Sequence, residues 1–412
     1  MKSTAPSAPR SGRSQDRENA GATPGAATAL TRLGNMTVRH FLARYWQREA
    51  VLIRQAIPDF APPLGRAELF ELARRDDVES RLLRDADGVC RLDHGPLRGR
   101  IMPSPRTPGW TLLVQGVDQH LETAARLVGR FRFLPDARLD DLMVSFASDG
   151  GGVGPHIDSY DVFLLQAEGR RRWRIQHRPD PSCIDGLPIR RLARFRPDRE
   201  WLLEPGDMLY LPPGIAHDGV AVGPCMTCSI GFRTPSGVDL ADIWIELQSA
   251  RSALRAVTYR DPGLKPSTVP ARLPGRMIRS VQRELQGWRP APGEVATALL
   301  RQLSEPKPQV VFDPPRPSMP RARFMALARR DGLVADRRTR MLYSGRSFGI
   351  NGEIVAEPDR VARVLAAQFA DRRSLPARSP LLAATGDTRA WSERFYQWYL
   401  AGWIHPSPVQ GM

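Results

Sequence analysis

In the run Gly150-Gly-Gly-Val-Gly-Pro-His156-Ile-Asp158-Ser-Tyr160-Asp161, a histidine stands two residues before an aspartate. On an extended strand, residues i and i+2 point to the same face, so this imidazole and carboxylate can share one metal ion. A third ligand is needed, and His217 supplies a candidate. It ends Leu209-Tyr-Leu-Pro-Pro-Gly-Ile-Ala-His217, a strand and turn that can bring it back opposite the pair. Two histidines and one carboxylate leave one side of the metal open, as in non-haem Fe(II) oxygenases. The same ligands around redox-inactive zinc would serve hydrolysis, whereas structural zinc sites close all four positions, usually with thiolates. Cys225 and Cys228 are the one close thiol pair, but three apart on a strand they face opposite ways. The glycines from Gly150 to Gly154 could cradle phosphate, yet no helix of the P-loop kind follows. His40, His94, His120, His177 and His405 have no partner at ligand spacing and read as core or surface residues.

An Fe(II) oxygenase needs two electrons, and a 2-oxo acid that chelates the metal can supply them. Its distal carboxylate then needs a cation. Arg170-Arg171-Arg172, followed by Trp173, lies on the next β-prone run, where one guanidinium could form a bidentate pair. A solvated or phosphate-facing arginine stripe reads equally well for any one of the three.

These residues lie within a stretch of short β-prone runs, from Arg91 to about Arg233. The runs are Thr111–Val114, Leu142–Phe146, Asp161–Gln166, Arg172–Gln176, Trp201–Leu203, Met208–Leu211 and Met226–Phe232. The spacing predicts an antiparallel barrel or sandwich, with tight turns at Glu168-Gly169 and Pro205-Gly206-Asp207. Before it, Phe41, Leu42, Tyr45 and Trp46 have helical spacing, and Val51-Leu-Ile53 reads as a strand. After it, Leu240, Ile243, Trp244 and Leu247 open a helical region over 238–304, whose apolar stripe needs a cover, either the barrel or a second copy of the chain. Residues 305–320 carry six prolines and read as a linker. Over 321–412 the pattern is α+β, with strands at Met341–Tyr343 and Ser347–Ile354, an Asn351-Gly352 hairpin signal, and helices at Arg321–Ala328, Arg360–Phe369 and Trp391–Trp403. That order is compatible with a winged-helix-like module.

With 412 residues, 42% of them hydrophobic, the chain is long enough for several domains and is neither fibrous nor wholly disordered. No apolar run approaches the ~18 residues of a spanning helix, so the reading is a soluble protein. Of 60 basic residues only Lys2, Lys265 and Lys307 are lysine, so the formal charge of +16 reflects arginine usage as much as an anionic partner. Four cysteines fit a reducing cytoplasm. Residues 1–34 read as a disordered tail, with a transit peptide as the rival.

Three blocks together resemble the bacterial JmjC-type ribosomal oxygenases of the cupin superfamily. They are Phe41-Leu-Ala-Arg-Tyr-Trp with Val51-Leu-Ile-Arg, Leu142-Met-Val-Ser-Phe through Gly169-Arg-Arg-Arg-Trp-Arg, and Pro205-Gly-Asp to His217 closing on Gly231-Phe-Arg. The resemblance implies an α+β chain with a double-stranded β-helix core over 35–237, a helical dimerisation region, and a C-terminal winged-helix-like domain. It implies an Fe(II)- and 2-oxoglutarate-dependent protein hydroxylase using dioxygen, with His156, Asp158 and His217 as iron ligands. Arg171 then binds the 2-oxoglutarate carboxylate and Ser145 lines the co-substrate pocket. In the nearest branch the substrate is a ribosomal protein, large-subunit protein sixteen, hydroxylated on an arginine β-carbon. An arginine substrate calls for acidic or aromatic contacts at the mouth, where Tyr160, Asp149 and Asp161 are near in sequence. A demethylase or small-molecule oxygenase on the same fold, and a non-catalytic cupin-type protein whose basic C-terminal module contacts nucleic acid, are the alternatives. The Arg-rich segment Ile189–Arg199 departs from the family pattern.

Overall fold

The computed structural model describes residues 28–408, apart from 87–88, 100, 234, 236, 250–276, 280–281, 284–289, 358 and 384–388. It begins with a short pair of strands, β1 (Arg32–Leu33) and β2 (Met36–Thr37), and the helix α1 (Val38–Arg44), whose first turn is capped by Thr37. Leu33 is fully buried, so ordered structure begins before residue 35, earlier than the expected end of the tail. Strand β3 (Val51–Ile53) and helix α2 (Arg66–Leu72) follow, then β4 (Ser80–Ala86), β5 (Val89–His94), β6 (Trp110–Val114), α3 (Val117–His120) and α4 (Glu122–Gly129). The remaining strands of this part are β7 (Leu139–Ala147), β8 (His156–Ile157), β9 (Val162–Gln176), β10 (Arg199–Leu203), β11 (Met208–Leu211) and β12 (Ala216–Phe232).

β3 to β12 form one antiparallel sheet in the order β3-β11-β9-β12-β7-β6-β4-β5, with β10 added to β9 and β8 to β12. Alternation along the strands sorts side chains to two faces. On β12, Met226, Cys228, Ile230 and Phe232 join the large cluster against α1, α2 and α4, which also takes Phe41, Leu69, Leu127, Phe163 and Leu165. Their neighbours Leu164, Trp173, Ile175, Leu203, Leu209 and Leu211 form a second cluster on the inner face. Phe41 anchors α1, its ring edge-on to Tyr210 at 4.9 Å and tilted on Phe163 at 5.3 Å. Such aromatic pairs add about 0.5–1.5 kcal/mol each beyond their buried area.

The Glu168-Gly169 turn expected from sequence is not a hairpin. β9 runs unbroken from Val162 to Gln176 and pairs along most of its length with β12, the register slipping between Val222 and Met226. There β12 sets three residues, Gly223-Pro224-Cys225, against the single Gly169 of β9, which at φ +62° has no room for a Cβ beside the Pro224 carbonyl. The Pro205-Gly206-Asp207 turn is tight, but β10 and β11 both pair with β9 and not with each other. β4 and β5, which carry charged residues among the apolar ones with no regular alternation along β4, are strands that the sequence pattern does not predict.

Beyond the sheet, α5 (Gly237–Ser249) and α6 (Pro292–Ser304) match the expected helical region; most of the residues between them lie outside the described set. The proline-rich stretch 305–320 has no helix or strand. The last part contains α7 (Arg321–Asp331), β13 (Leu333–Ala335), the meander β14 (Met341–Ser344), β15 (Ser347–Ile350) and β16 (Glu353–Ala356), α8 (Arg360–Arg372), β17 (Ser374–Leu375), α9 (Arg389–Leu400) and β18 (Ile404–Pro406). Asn351 and Gly352, both at positive φ, turn β15 into β16 as their types predict. This part has its own core around Phe324, Phe348, Phe369, Trp391 and Trp398.

Candidate metal and co-substrate site

β8 is only two residues long, and its pairing with β12 sets His156 directly opposite His217. Asp158 follows one turn of alternation later. The three side chains offer ligand atoms that all lie within 4.8 Å of one another. His156 Nε2 is 4.0 Å from Asp158 Oδ1, and His217 Nε2 is 3.6 Å from Asp158 Oδ2. Those spacings admit one ion about 2.0–2.2 Å from each donor.

The hydrogen bonds fix the imidazoles for this task. His156 Nδ1 donates to the Gly154 carbonyl at 2.8 Å and His217 Nδ1 to the Ile215 carbonyl at 3.1 Å. A carbonyl only accepts, so Nδ1 carries the proton in both rings and Nε2 presents a lone pair. Burial, and then the neighbouring His156, hold His217 well below its ordinary pKa and keep it neutral. Burial raises the Asp158 pKa, against the pull of His156 and the Tyr160 hydroxyl. A divalent cation would offset that cost, so the donor set fits a metal with open positions.

The glycines before His156 serve close packing. A Cβ on Gly151 would strike the Trp110 carbonyl, and one on Gly152 would lie 2.5 Å from the Gly219 carbonyl. Gly150 N–H donates to the Ala221 carbonyl, and Ala221 N–H to that of Gly151. The run is thus sewn onto β6 and β12, which leaves the phosphate-cradle reading without support.

Of the three consecutive arginines, the pleat turns one inward. Arg171 is 4% exposed and lies opposite Ala221, while Arg170 and Arg172 are on the outer surface. Its Nη1 donates to Ser145 Oγ at 3.3 Å, and its Nε and Nη2 have no partner among the described residues. A buried guanidinium without a carboxylate is costly, and a bound anion would remove that cost. Trp173 links this cation to the ligand cluster: the Arg171 guanidinium lies 5.6 Å from its ring centre, and the ring lies 5.9 Å from that of His217.

Thr111 was not singled out from sequence. It lies opposite Ala147, on the same inward face as Ser145, and its buried Oγ1 has no partner among the described residues. The only signal was a lone hydroxyl in Trp-Thr-Leu-Leu-Val. Cys225 and Cys228 are both buried in apolar clusters, away from the His-Asp-His cluster, and burial pushes the Cys228 thiol up to about 12.

The three mouth candidates separate. Tyr160 is 41% exposed, with its hydroxyl against Asp158. Asp149 is exposed, and its Oδ1 accepts from Gly223 N–H at 2.7 Å. Asp161 is fully buried, and its carboxylate takes the Tyr210 hydroxyl at 2.6 Å, Arg138 at 2.9 Å and the Gln47 amide at 3.0 Å. It anchors the turn into β9 and is unavailable to a substrate.

Residues 126–240 match the family described as the JmjC domain. Over 370 residues the chain is 35% identical to "Ribosomal protein uL16 3-hydroxylase" of Escherichia coli K12, covering 85% of this chain and 96% of that protein. The chain belongs to the JmjC ribosomal oxygenase family. A "Probable ribosomal oxygenase" of Haemophilus influenzae is 33% identical over 255 residues, 60% of each chain. Among solved structures, E. coli YcfD superimposes with a TM-score of 0.79 at 30% identity, covering 91% of this chain and 99% of that one. YcfD, described as a ribosomal oxygenase, has also been solved in complex with cobalt and 2-oxoglutarate, at a TM-score of 0.77 and 30% identity, covering 90% and 99%. As a member of this family the chain is a 2-oxoglutarate-dependent dioxygenase with a JmjC/cupin fold.

Proposed function

We propose that the chain is an Fe(II)- and 2-oxoglutarate-dependent protein hydroxylase whose substrate is the large-subunit ribosomal protein uL16, hydroxylated at the β-carbon of an arginine. The observation that carries the reading is the buried Arg171 guanidinium, with two unpartnered nitrogens, placed through Trp173 beside a His-Asp-His cluster. The substrate class follows the Escherichia coli relative named for that protein. His156, Asp158 and His217 would hold the iron, and Arg171 with Ser145 would hold the distal carboxylate of 2-oxoglutarate.

Bound there, Fe(II) supplies the dioxygen chemistry that couples decarboxylation of 2-oxoglutarate to insertion of one oxygen into a C–H bond. The chain's own residues decide which bond. Arg171, rigid between Ser145 and Trp173, fixes one end of the co-substrate by charge and direction. Trp173, Ile215 and the inner-face aliphatics exclude water from the buried side. Tyr160 and Asp149, exposed at either end of the glycine loop, would hold a cationic substrate side chain by a cation–π contact and an ion pair. Positioning, without acid–base exchange, then selects the carbon.

For the rest of the chain the proposal is a winged-helix-like fold for 321–412 and a homodimer formed through 238–304. The first is supported by the helix, strand and meander order, the second by Val238, Leu240 and Ile245 standing exposed on α5. A cytoplasmic site of action fits the ribosomal substrate, and contact between the basic C-terminal part and RNA fits the charge. In the deciding experiment ribosomal proteins are incubated with the enzyme, Fe(II), 2-oxoglutarate and air, and with an Asp158→Ala control. A gain of one oxygen on uL16 with the wild type alone is expected. Succinate without that gain would discard the substrate, and no succinate would discard the reaction.

A further inference from the structure

Residues 177–198 leave the sheet at the end of β9 and return at β10, and this excursion is strapped across the loop that carries His156. It has a small ladder of its own: Cys183 bridges Leu192, Ile184 N–H donates to the Arg191 carbonyl at 2.9 Å, and Ala193 N–H to that of Ser182 at 2.8 Å. The ladder holds Arg191 and Leu192 in place over the glycine loop. Leu192, buried, donates its N–H to the Pro155 carbonyl at 2.9 Å. Arg191 Nε donates to the Val153 carbonyl at 2.7 Å, and its Nη1 pairs with Asp85 on β4. The guanidinium lies so close on Gly154 that a Cβ there would come within 2.5 Å of Nε. Gly154 is at φ +86°, a region that L side chains rarely adopt, so two independent constraints call for glycine at this point.

The next link is His156. Its Nδ1 donates to the carbonyl of this same Gly154, the bond that fixes its tautomer and ring orientation. His217 is held by full burial, whereas the His156 side chain is 25% exposed and sits on a strand of two residues. A loop with four glycines has much conformational entropy to lose, and little besides the strap holds its C-terminal half. We infer that Arg191 is a positioning residue for the metal centre, acting through the Val153-Gly154 peptide on His156, with Asp85 as its anchor. The inference rests on His156 being a metal ligand, and it gives a role to part of the Arg-rich segment that departs from the family pattern.

Arginine is required by geometry. Its fork places Nε on a carbonyl and Nη1 on a carboxylate at once, with a flat face against the glycine; lysine can reach Asp85 but offers a single point charge. The test uses ligand-free wild type, Arg191→Lys, Arg191→Met, Asp85→Asn and His217→Ala. Each is titrated with Co(II) alone, followed by its visible absorption, and the His156 tautomer is read by 15N NMR of the side chain without metal. Loss of the strap is expected to weaken Co(II) binding about 10–100-fold in Arg191→Lys and Arg191→Met and to lower the Nδ1-protonated share of His156. Asp85→Asn is expected to act in the same direction by a smaller factor. Arg191→Lys keeps the Asp85 pair and guards against a folding artefact in Arg191→Met. Wild-type Co(II) affinity and tautomer in Arg191→Lys would overturn the inference, since the ion pair alone would then suffice. A wild type that binds no Co(II), or His217→Ala binding as tightly as wild type, would instead overturn the metal assignment beneath it.

Discussion

Ser145 and Arg171 sit on β7 and β9, two strands that share no backbone hydrogen bond because β12 runs between them, yet the guanidinium donates to the serine hydroxyl across the inner face at 3.3 Å. The cation is thus fixed from two strands at once, with two nitrogens left over. If those nitrogens await a carboxylate, Arg171→Met should raise KM for 2-oxoglutarate at least about 10–10²-fold, as expected for losing one charged hydrogen bond of about 1.5–3 kcal/mol. The ligand-free protein should melt at a higher temperature, because an unpaired buried charge has been removed. A lower melting temperature with unchanged KM would mean that the guanidinium serves the fold.

Both ring tautomers at the cluster are set by backbone carbonyls, so the site should be preorganised before metal arrives. Removal of metal with a chelator should abolish succinate formation reversibly and leave the far-ultraviolet circular dichroism unchanged. Asp158→Ala should keep the fold and lose more than about 10²-fold in metal affinity, a larger loss than outer partners of a ligand cause. Full turnover in this variant would remove Asp158 from the ligand set.

His156 and Asp158 were legible because period-2 spacing is a local rule, and His217 because a Pro-Gly turn returns the chain. Arg171 could not be told from Arg170 and Arg172 without the register that sets it opposite Ala221 on the inner face. The Glu168-Gly169 dipeptide has turn chemistry, but the long pairing of β9 with β12 keeps it within a continuous strand opposite a bulge in β12, a non-local outcome that residue types do not record. Asp161 looked like a mouth residue because it lies three positions from Asp158; the strand starting at Val162 turns it into the core. Arg191 was visible only as one arginine among many until the strap brought it onto a loop some 40 positions earlier in the chain.

Asp161 carries the second kind of prediction, one of stability. Its carboxylate is the shared acceptor for Tyr210 on β11, Arg138 just before β7 and Gln47 in the turn after α1, which it joins to the loop behind Asp158. Asp161→Ala should destabilise the protein by about 1–3 kcal/mol, since it removes the buried acceptor shared by the Tyr210 hydroxyl and the partly exposed Arg138 guanidinium. Urea denaturation measures the loss. A change under about 1 kcal/mol would show that water replaces the carboxylate, contrary to its burial.

Asp118 gives the pH dependence. Burial, and then the nearby Asp141, push its carboxyl up to about 7, although its Oδ1 accepts from Leu142 N–H at 2.8 Å. In the unfolded chain the group titrates near 3.8, so between about pH 4 and 7 the folded protein holds a proton that the unfolded chain has released. Its contribution is therefore fully present below about pH 4 and is lost as pH rises through 7. Asp118→Asn keeps an acceptor for Leu142 and cannot ionise. Thermal melts should place this variant above wild type at pH 8, by a few degrees at about 2–4 °C per kcal/mol, with the gap shrinking towards pH 5. A gap that grows as pH falls would mean that the aspartate is ionised and stabilising in the folded protein, in the manner of its neighbour Asp140, which Lys307 and Arg233 hold below the usual carboxylate range.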